Sequence, residues 1–216
     1  IVLATGWKPY DPNNLKSMGY GRLKSVISQL DLEICAKEDQ WNQLLPERPE
    51  HGVLFIQCAG SRDPNHLPYC SNFCCATTLK QSAYLRTKYP DLPVYVVYKD
   101  LRTPGHLEQF YQSMQQDDLL FLTKGEVAEI TEKEDSIEVK INDTLFGKTI
   151  AIDVDLVVLA TGMVPSDSSG LNLSYRQGKG LPALKYEFPD SHFICFPYET
   201  RRTGIYAAGT CRAPMD

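Results

Sequence analysis

Four of the chain's seven cysteines fall in one short stretch, "QCAGSRDPNHLPYCSNFCC" (Gln57–Cys75): Cys58, then Cys70, then the adjacent pair Cys74 and Cys75. Thiolates at close spacing are nucleophiles, redox partners or metal ligands. Four inert thiols so tightly clustered would be a coincidence, and a redox disulfide would strand two of the four. Zinc also accepts four thiolates, although the spacing lacks the paired C-x2-C knuckles common in structural zinc sites. The pattern therefore points to a thiolate-ligated inorganic centre, with zinc as its chemical rival. His66 lies inside the stretch and could replace one sulfur, but it reads as an exposed loop residue. Cys35, Cys195 and Cys211 are isolated and read as structural or solvent thiols.

Converging sulfurs need elements to carry them. An apolar run precedes Cys58 and predicts a strand over His51–Ala59, while "NFCCATTLKQSAYLRTK" (Asn72–Lys88) has helical apolar spacing. Ser71 is the expected N-cap. Cys74 and Cys75 then occupy the first helical turn, where the positive end of the macrodipole is expected to lower the thiolate pKa. Cys70 and Cys74 share a helical face if that turn is formed. Cys75 would point elsewhere, so the chain must turn around Tyr69–Phe73. A strand end facing a helix N-terminus normally receives a pyrophosphate through a glycine-rich loop. Gly60 alone does not make G-x-G-x-x-G, so the cysteines are expected in place of a nicotinamide phosphate site.

The remaining pattern alternates. A strand is expected over Pro93–Asp100, a helix over Gly105–Asp117, and then a strand group broken by turns at Glu134-Asp135 and Asn142-Asp143. "IVLATGWKP" (Ile1–Pro9) recurs as "VVLATGMVP" (Val157–Pro165), which suggests two related α/β units with buried parallel strands. Asp11–Arg48 is less regular: Leu23, Val26, Ile27 and Leu30 suggest a helix or docking segment, and Leu45–Gly52 reads as a linker. After Pro165 a loop ("SDSSGLN") leads to mixed strands at Phe193–Phe196 and on to "TGIYAAGT" (Thr203–Thr210). The fold class is α/β with a Rossmann-like nucleotide-binding unit.

Composition narrows the partners. The net charge is −5 and no basic stripe is present, which argues against nucleic acid. No apolar run approaches the roughly 18 residues of a membrane helix, so direct membrane insertion is not expected. An odd number of cysteines among long regular elements suits a reducing, cytoplasmic compartment. The chain opens and closes inside expected elements and reads as a piece of a longer polypeptide.

The order of an Ala-Thr-Gly strand, an inserted nucleotide unit, a second Ala-Thr-Gly strand and "GIYAAG" resembles two-dinucleotide-domain flavoproteins of the thioredoxin-reductase type. The cysteine spacing, the "GSRD" after Cys58 and "DLRTPGHLEQFY" (Asp100–Tyr111) resemble the A subunit of heterodisulfide reductase and its relative, the A subunit of the quinone-interacting membrane-bound oxidoreductase. "RTPG" and the terminal "APMD" look closer to the quinone-interacting relative. The resemblance implies a [4Fe–4S] cluster on Cys58, Cys70, Cys74 and Cys75, and an FAD domain interrupted by the inserted unit. Residues 1–48 and 166–216 would be partial FAD-domain segments, and 49–165 the inserted NAD-domain-like unit. Thr5, Gly6, Gly209 and Thr210 are the implied FAD-side residues, with Thr210 standing where the family carries an Asp. Thr161-Gly162 is the weaker candidate, and Cys211 lies beside the expected flavin region. FAD belongs to the full-length protein, and this piece is expected to hold it weakly or not at all. The implied role is an oxidoreductase subunit passing electrons between FAD, the cluster and other subunits in sulfur- or quinone-linked energy metabolism. The alternatives are an NAD(P)H-dependent pyridine-nucleotide–disulfide oxidoreductase piece and a zinc-binding docking module.

Overall fold

Runs of buried branched side chains set the frame on which the cysteines are carried. The computed structural model describes residues 1–168, 170, 181–184, 186–192 and 194–215. In chain order these form β1 (Val2–Leu3), β2 (Trp7–Pro9), β3 (Val26–Ser28), α1 (Gln29–Glu38) and β4 (Val53–Ile56). Then come α2 (Cys74–Lys88), β5 (Val94–Tyr98), α3 (Leu107–Met114), β6 (Leu120–Glu132), β7 (Ile137–Asp143) and β8 (Lys148–Val154). The chain continues through β9 (Leu156–Leu159), β10 (Met163–Pro165), β11 (Ser191–His192), β12 (Phe196–Thr200) and β13 (Tyr206–Ala207).

Seven strands form the main sheet in the order β3-β9-β4-β5-β6-β7-β8. It is parallel from β3 to β6 and antiparallel across β6, β7 and β8. Every residue of β4 and β9 is buried, as expected of central parallel strands covered on both faces. Successive side chains alternate between two cores. Val53 and Phe55 pack with Leu32 of α1 and with Leu79 and Leu85 of α2. Leu54 and Ile56 pack on the other side against Leu15, Leu23 and the antiparallel strands' Val139 and Ile141.

The irregular-looking region before Arg48 holds real structure. β3 pairs in parallel with β9 and is followed at once by α1, so the sheet reaches back to Val26. A capping box starts α1: the Asp31 amide donates to Ser28 Oγ at 3.2 Å, and the Ser28 amide donates to Asp31 Oδ2 at 2.8 Å. The strand expected over His51–Ala59 is confined to Val53–Ile56, because Cys58 turns left-handed at φ 57°. Similarly, the helix expected over Gly105–Asp117 is Leu107–Met114 and the strand over Pro93–Asp100 is Val94–Tyr98.

A second sheet has the order β1-β13-β12-β11, with β1 parallel to β13. The two Ala-Thr-Gly segments therefore serve different sheets, β1 at an edge of one and β9 inside the other. Between the sheets the chain crosses twice, and the crossings pair antiparallel as β2 and β10, with Trp7 opposite Pro165 and Pro9 opposite Met163. Ser169 and residues 171–172 of the expected loop, and Phe193 of the expected strand, lie outside the described residues. Among the described residues no helix is long and apolar enough to cross a membrane.

Candidate metal centre

All four clustered cysteines line one cavity, closed by the ends of β4 and β5 and the first turn of α2. Cys58 follows β4 in the left-handed conformation, at φ 57°. Asn72, also left-handed at φ 70°, makes the turn between Cys70 and Cys74. Arg62, at φ 56°, is a third such residue in the same stretch. Left-handed backbone is costly for residues with a side chain and persists where the surroundings enforce it. Here the enforcement comes from a compact loop. The Arg62 amide donates to the Tyr69 carbonyl at 3.0 Å, and the Leu67 amide to the Gly60 carbonyl at 3.1 Å.

Ser71 is not the N-cap of α2. The helix begins at Cys74 after Phe73, and no side chain caps it. The Ser71 hydroxyl is used elsewhere: it lies 2.7 Å from Ser61 Oγ and accepts the Met163 amide at 2.9 Å. That pair of contacts ties the cysteine loop to the exit of β9. Cys70 consequently lies before the helix and shares no helical face with Cys74, although the fold brings the two to one cavity. Phe73 packs on Trp7 of β2, with ring centroids 4.4 Å apart.

The thiols titrate against the expectation from the helix dipole. Burial pushes Cys58 up to about 11, and the neighbouring Cys75 adds to the shift while the Arg62 guanidinium opposes it. Burial also drives Cys74 well above its ordinary value. Cys75 is raised as well, chiefly by burial, though the Arg102 amide bonds to it and pulls the other way. The reason lies in the magnitudes. A helix N-terminus is worth about 0.3–1 kcal/mol, under one pKa unit. Desolvation of a buried group reaches about 3–5 units. Burial thus disfavours the thiolate at Cys58, Cys74 and Cys75, which suits ligands that lose protons on metal binding and not a standing thiolate nucleophile.

Among the described residues no three His, Cys, Asp or Glu side chains already stand in the arrangement of a bound ion. The shared cavity is about 10 Å³, the room of one water, so a larger inorganic core requires its walls to part. In its donor set the site suits such a group. Four cysteines line it, and at the same wall the Arg62 Nη1 is buried with no hydrogen-bond partner. Arg62, Asp100 and Arg102 also line this cavity, and sequence reasoning missed them. Their signal was the "GSRD" inside the cysteine block and the "DLR" just after β5, two segments that meet only through the parallel pairing of β4 and β5.

His66 is half-buried outside the cysteine cavity, with Nδ1 3.1 Å from the Tyr10 hydroxyl. Cys35 is buried on α1 and Cys195 is exposed. Cys211 is buried, with its thiol donating to the Leu3 carbonyl at 3.2 Å and the Ala208 carbonyl at 3.1 Å.

The second group of candidates gathers at the other sheet. Leu3 of β1 pairs with Ala207 of β13, so Thr5-Gly6 and Gly209-Thr210 emerge side by side at the carboxyl ends of parallel strands. Ligands of open α/β sheets bind at such ends. Gly6 and Gly209 are both left-handed, at φ 72° and 68°, and a Cβ on either would meet nothing within 4 Å. Open backbone is therefore presented there. Thr161-Gly162, by contrast, is buried against the cysteine loop, with Gly162 facing Ser61 and Ser71.

No family model matches the chain. It is 35% identical over its whole length to a CoB–CoM heterodisulfide reductase iron–sulfur protein of Methanopyrus kandleri, the second of that organism's A subunits. It is 36% identical to the A subunit of an H2:CoB–CoM heterodisulfide,ferredoxin reductase from Methanothermobacter thermautotrophicus, and 31% to a protein of Archaeoglobus profundus described as like the heterodisulfide reductase A subunit. The chain spans 34% of each of these relatives. Among solved structures, thioredoxin reductases from Lactococcus lactis and T. acidophilum superpose with TM-scores of 0.59 and 0.56, at 15% and 17% identity. Both alignments cover 98% of this chain and 57% of the other. The fold is thus that of thioredoxin reductase.

Proposed function

The chain belongs to the family of heterodisulfide reductase A subunits, spanning about a third of its relatives' length, and from that premise we propose that it is part of an electron-transferring oxidoreductase subunit. In this reading Cys58, Cys70, Cys74 and Cys75 hold a [4Fe–4S] centre, and Thr5, Gly6, Gly209 and Thr210 face FAD in the full-length protein. The observation that carries it is the convergence of the four thiols on one cavity. The name of the Methanopyrus kandleri relative, which calls it an iron–sulfur protein, agrees with that donor set.

When bound, an iron–sulfur centre supplies one-electron transfer and a flavin supplies exchange of one or two electrons. This chain's residues do the rest. The turn after β4 carries Cys58, the following loop carries Cys70, and the first turn of α2 carries Cys74 and Cys75. The amide of Arg102 donates to Cys75, and burial keeps water from Cys74 and Cys75, while Cys58 and Cys70 are half-buried. At the other sheet, the open glycine backbone and the Thr210 hydroxyl offer hydrogen bonds without charge where the family carries a carboxylate. The partners in this reading are other subunits of a heterodisulfide-reductase-like complex. "RTPG" (Arg102–Gly105) and "APMD" (Ala213–Asp216) favour the quinone-interacting kind.

The burial of Cys74 and Cys75 weighs against a cysteine-pair reductase, whose reactive thiol must be reachable. The test is anaerobic reconstitution with iron and sulfide, read by absorption, paramagnetic resonance and acid-labile sulfide. Stoichiometric iron and sulfide are expected, lost in Cys58→Ser and Cys74→Ser. Uptake of zinc alone, with no sulfide incorporated, would move the assignment to a zinc-organised docking module.

A further inference from the structure

Arg62 holds an arrangement that the rest of the fold does not explain. Its Nη2 donates to Asp100 Oδ2 at 2.7 Å, and Asp100 Oδ1 in turn accepts from Lys124 Nζ at 3.2 Å. Its Nη1 is buried and has no hydrogen-bond partner. An unpaired buried guanidinium N–H is unfavourable, and native structures rarely keep one without a use. The residue is also held at φ 56°, with its amide fastened to Tyr69. Backbone and Asp100 together thus clamp the side chain at the wall of the cysteine cavity. Cys58 is the sulfur beside it, lining the same wall of the cavity.

A neutral thiol is a poor acceptor, whereas a charged sulfur is a good one. A metal-bound sulfur carries negative charge and would give the unpaired N–H its acceptor. The planar fork of arginine allows one nitrogen to stay on Asp100 while the other addresses the cavity, which a lysine ammonium cannot reproduce as well.

We propose that Arg62 is a positioning and charge-compensating residue of the metal centre, its Nη1 donating to ligated sulfur on the Cys58 side of the cavity. This rests on the reading of the four cysteines as ligands of an iron–sulfur centre. Reduction of such a centre adds one negative charge, and a fixed cation beside it favours the reduced form. Removing that cation shifts the balance toward the oxidised form and lowers the midpoint potential.

The experiment uses the full-length protein reconstituted anaerobically with iron and sulfide, as wild type, Arg62→Met and Arg62→Lys. Iron and sulfide content is measured first, and the midpoint is then read by paramagnetic resonance during a redox titration. Arg62→Met is expected to keep its iron and sulfide and to change the oxidised-to-reduced ratio about tenfold at a fixed potential. For one electron that is a fall of about 59 mV. Arg62→Lys, which keeps the charge, should recover most of the shift. If Arg62→Met fails to load, loading restored in Arg62→Lys supports the proposal, and equal failure of both overturns it in favour of a purely structural tether. A fully loaded Arg62→Met with an unchanged midpoint overturns the proposal and leaves the centre standing. Failure of the wild type itself to take up iron and sulfide removes the centre and this assignment with it.

Discussion

Replacing Gly162 with alanine tests how the cysteine loop is anchored. Gly162 follows β9 at φ 95°, and a Cβ there would stand 2.1 Å from Ser61 Oγ and 2.6 Å from Ser71 Oγ. Those hydroxyls lie 2.7 Å apart, and Ser71 also accepts the Met163 amide. Left-handed backbone costs an L-residue about 1–2 kcal/mol. Displacing the hydroxyls loses buried hydrogen bonds worth ~1 kcal/mol each and strands the Met163 amide, at ~1–3 kcal/mol. The expected destabilisation is about 4 kcal/mol, a large part of a typical domain's total. Gly105 provides the control. It is left-handed at φ 60°, but a Cβ there would meet nothing within 4 Å. Gly105→Ala should therefore cost only ~1 kcal/mol. Urea unfolding followed by tryptophan fluorescence and circular dichroism would read both variants, the midpoints being compared at equal slope. Because Ser61 and Ser71 neighbour Cys58 and Cys70, iron uptake should fall in Gly162→Ala and not in Gly105→Ala. If Gly162→Ala unfolds at the same midpoint as Gly105→Ala, the steric account of the anchor is wrong.

Two further expectations come from titrating groups. The Arg86 guanidinium, 2.7 Å from Asp117, holds that carboxyl below its ordinary value, with help from the Leu119 amide. A depressed folded value contributes stability that is complete above the ordinary pKa of about 3.9 and is lost as pH falls through the lower folded value. Asp117→Asn should therefore lower stability by ~1 kcal/mol at pH 7 and flatten the acid limb below about pH 4; an unchanged acid limb would contradict the assignment. Thiol reactivity should divide by environment. Iodoacetamide at neutral pH, followed by mass spectrometry, should label exposed Cys195 first and Cys74 only after unfolding. Equal native rates for the two would refute the burial argument.

Much of the frame was legible because it rests on local pattern. The buried run of β9 read as a parallel strand and that of β4 as a strand, whereas the matching Ala-Thr-Gly segment at the start proved to be the two-residue edge strand β1. The helix after the cysteines and the antiparallel group β6–β8 declared themselves by their periods. β3 and α1 did not, since a three-residue strand carries too little alternation, and the Ser28-x-x-Asp31 capping signal lay unused inside it.

At the site the division is sharper. Residue order is enough to say that four sulfurs lie close along the chain and that a strand end feeds a helix N-terminus. Whether they meet was settled by tertiary packing, because convergence depends on left-handed turns at Cys58 and Asn72. Those turns are held by contacts from β9's exit, some ninety residues downstream of Ser71. Packing also set the direction of the Cys74 shift, since burial is a property of the assembled fold and outweighs the helix dipole that local sequence can predict. Arg62 and Asp100 became neighbours for the same reason: parallel strands bring their ends together whatever length of chain lies between them.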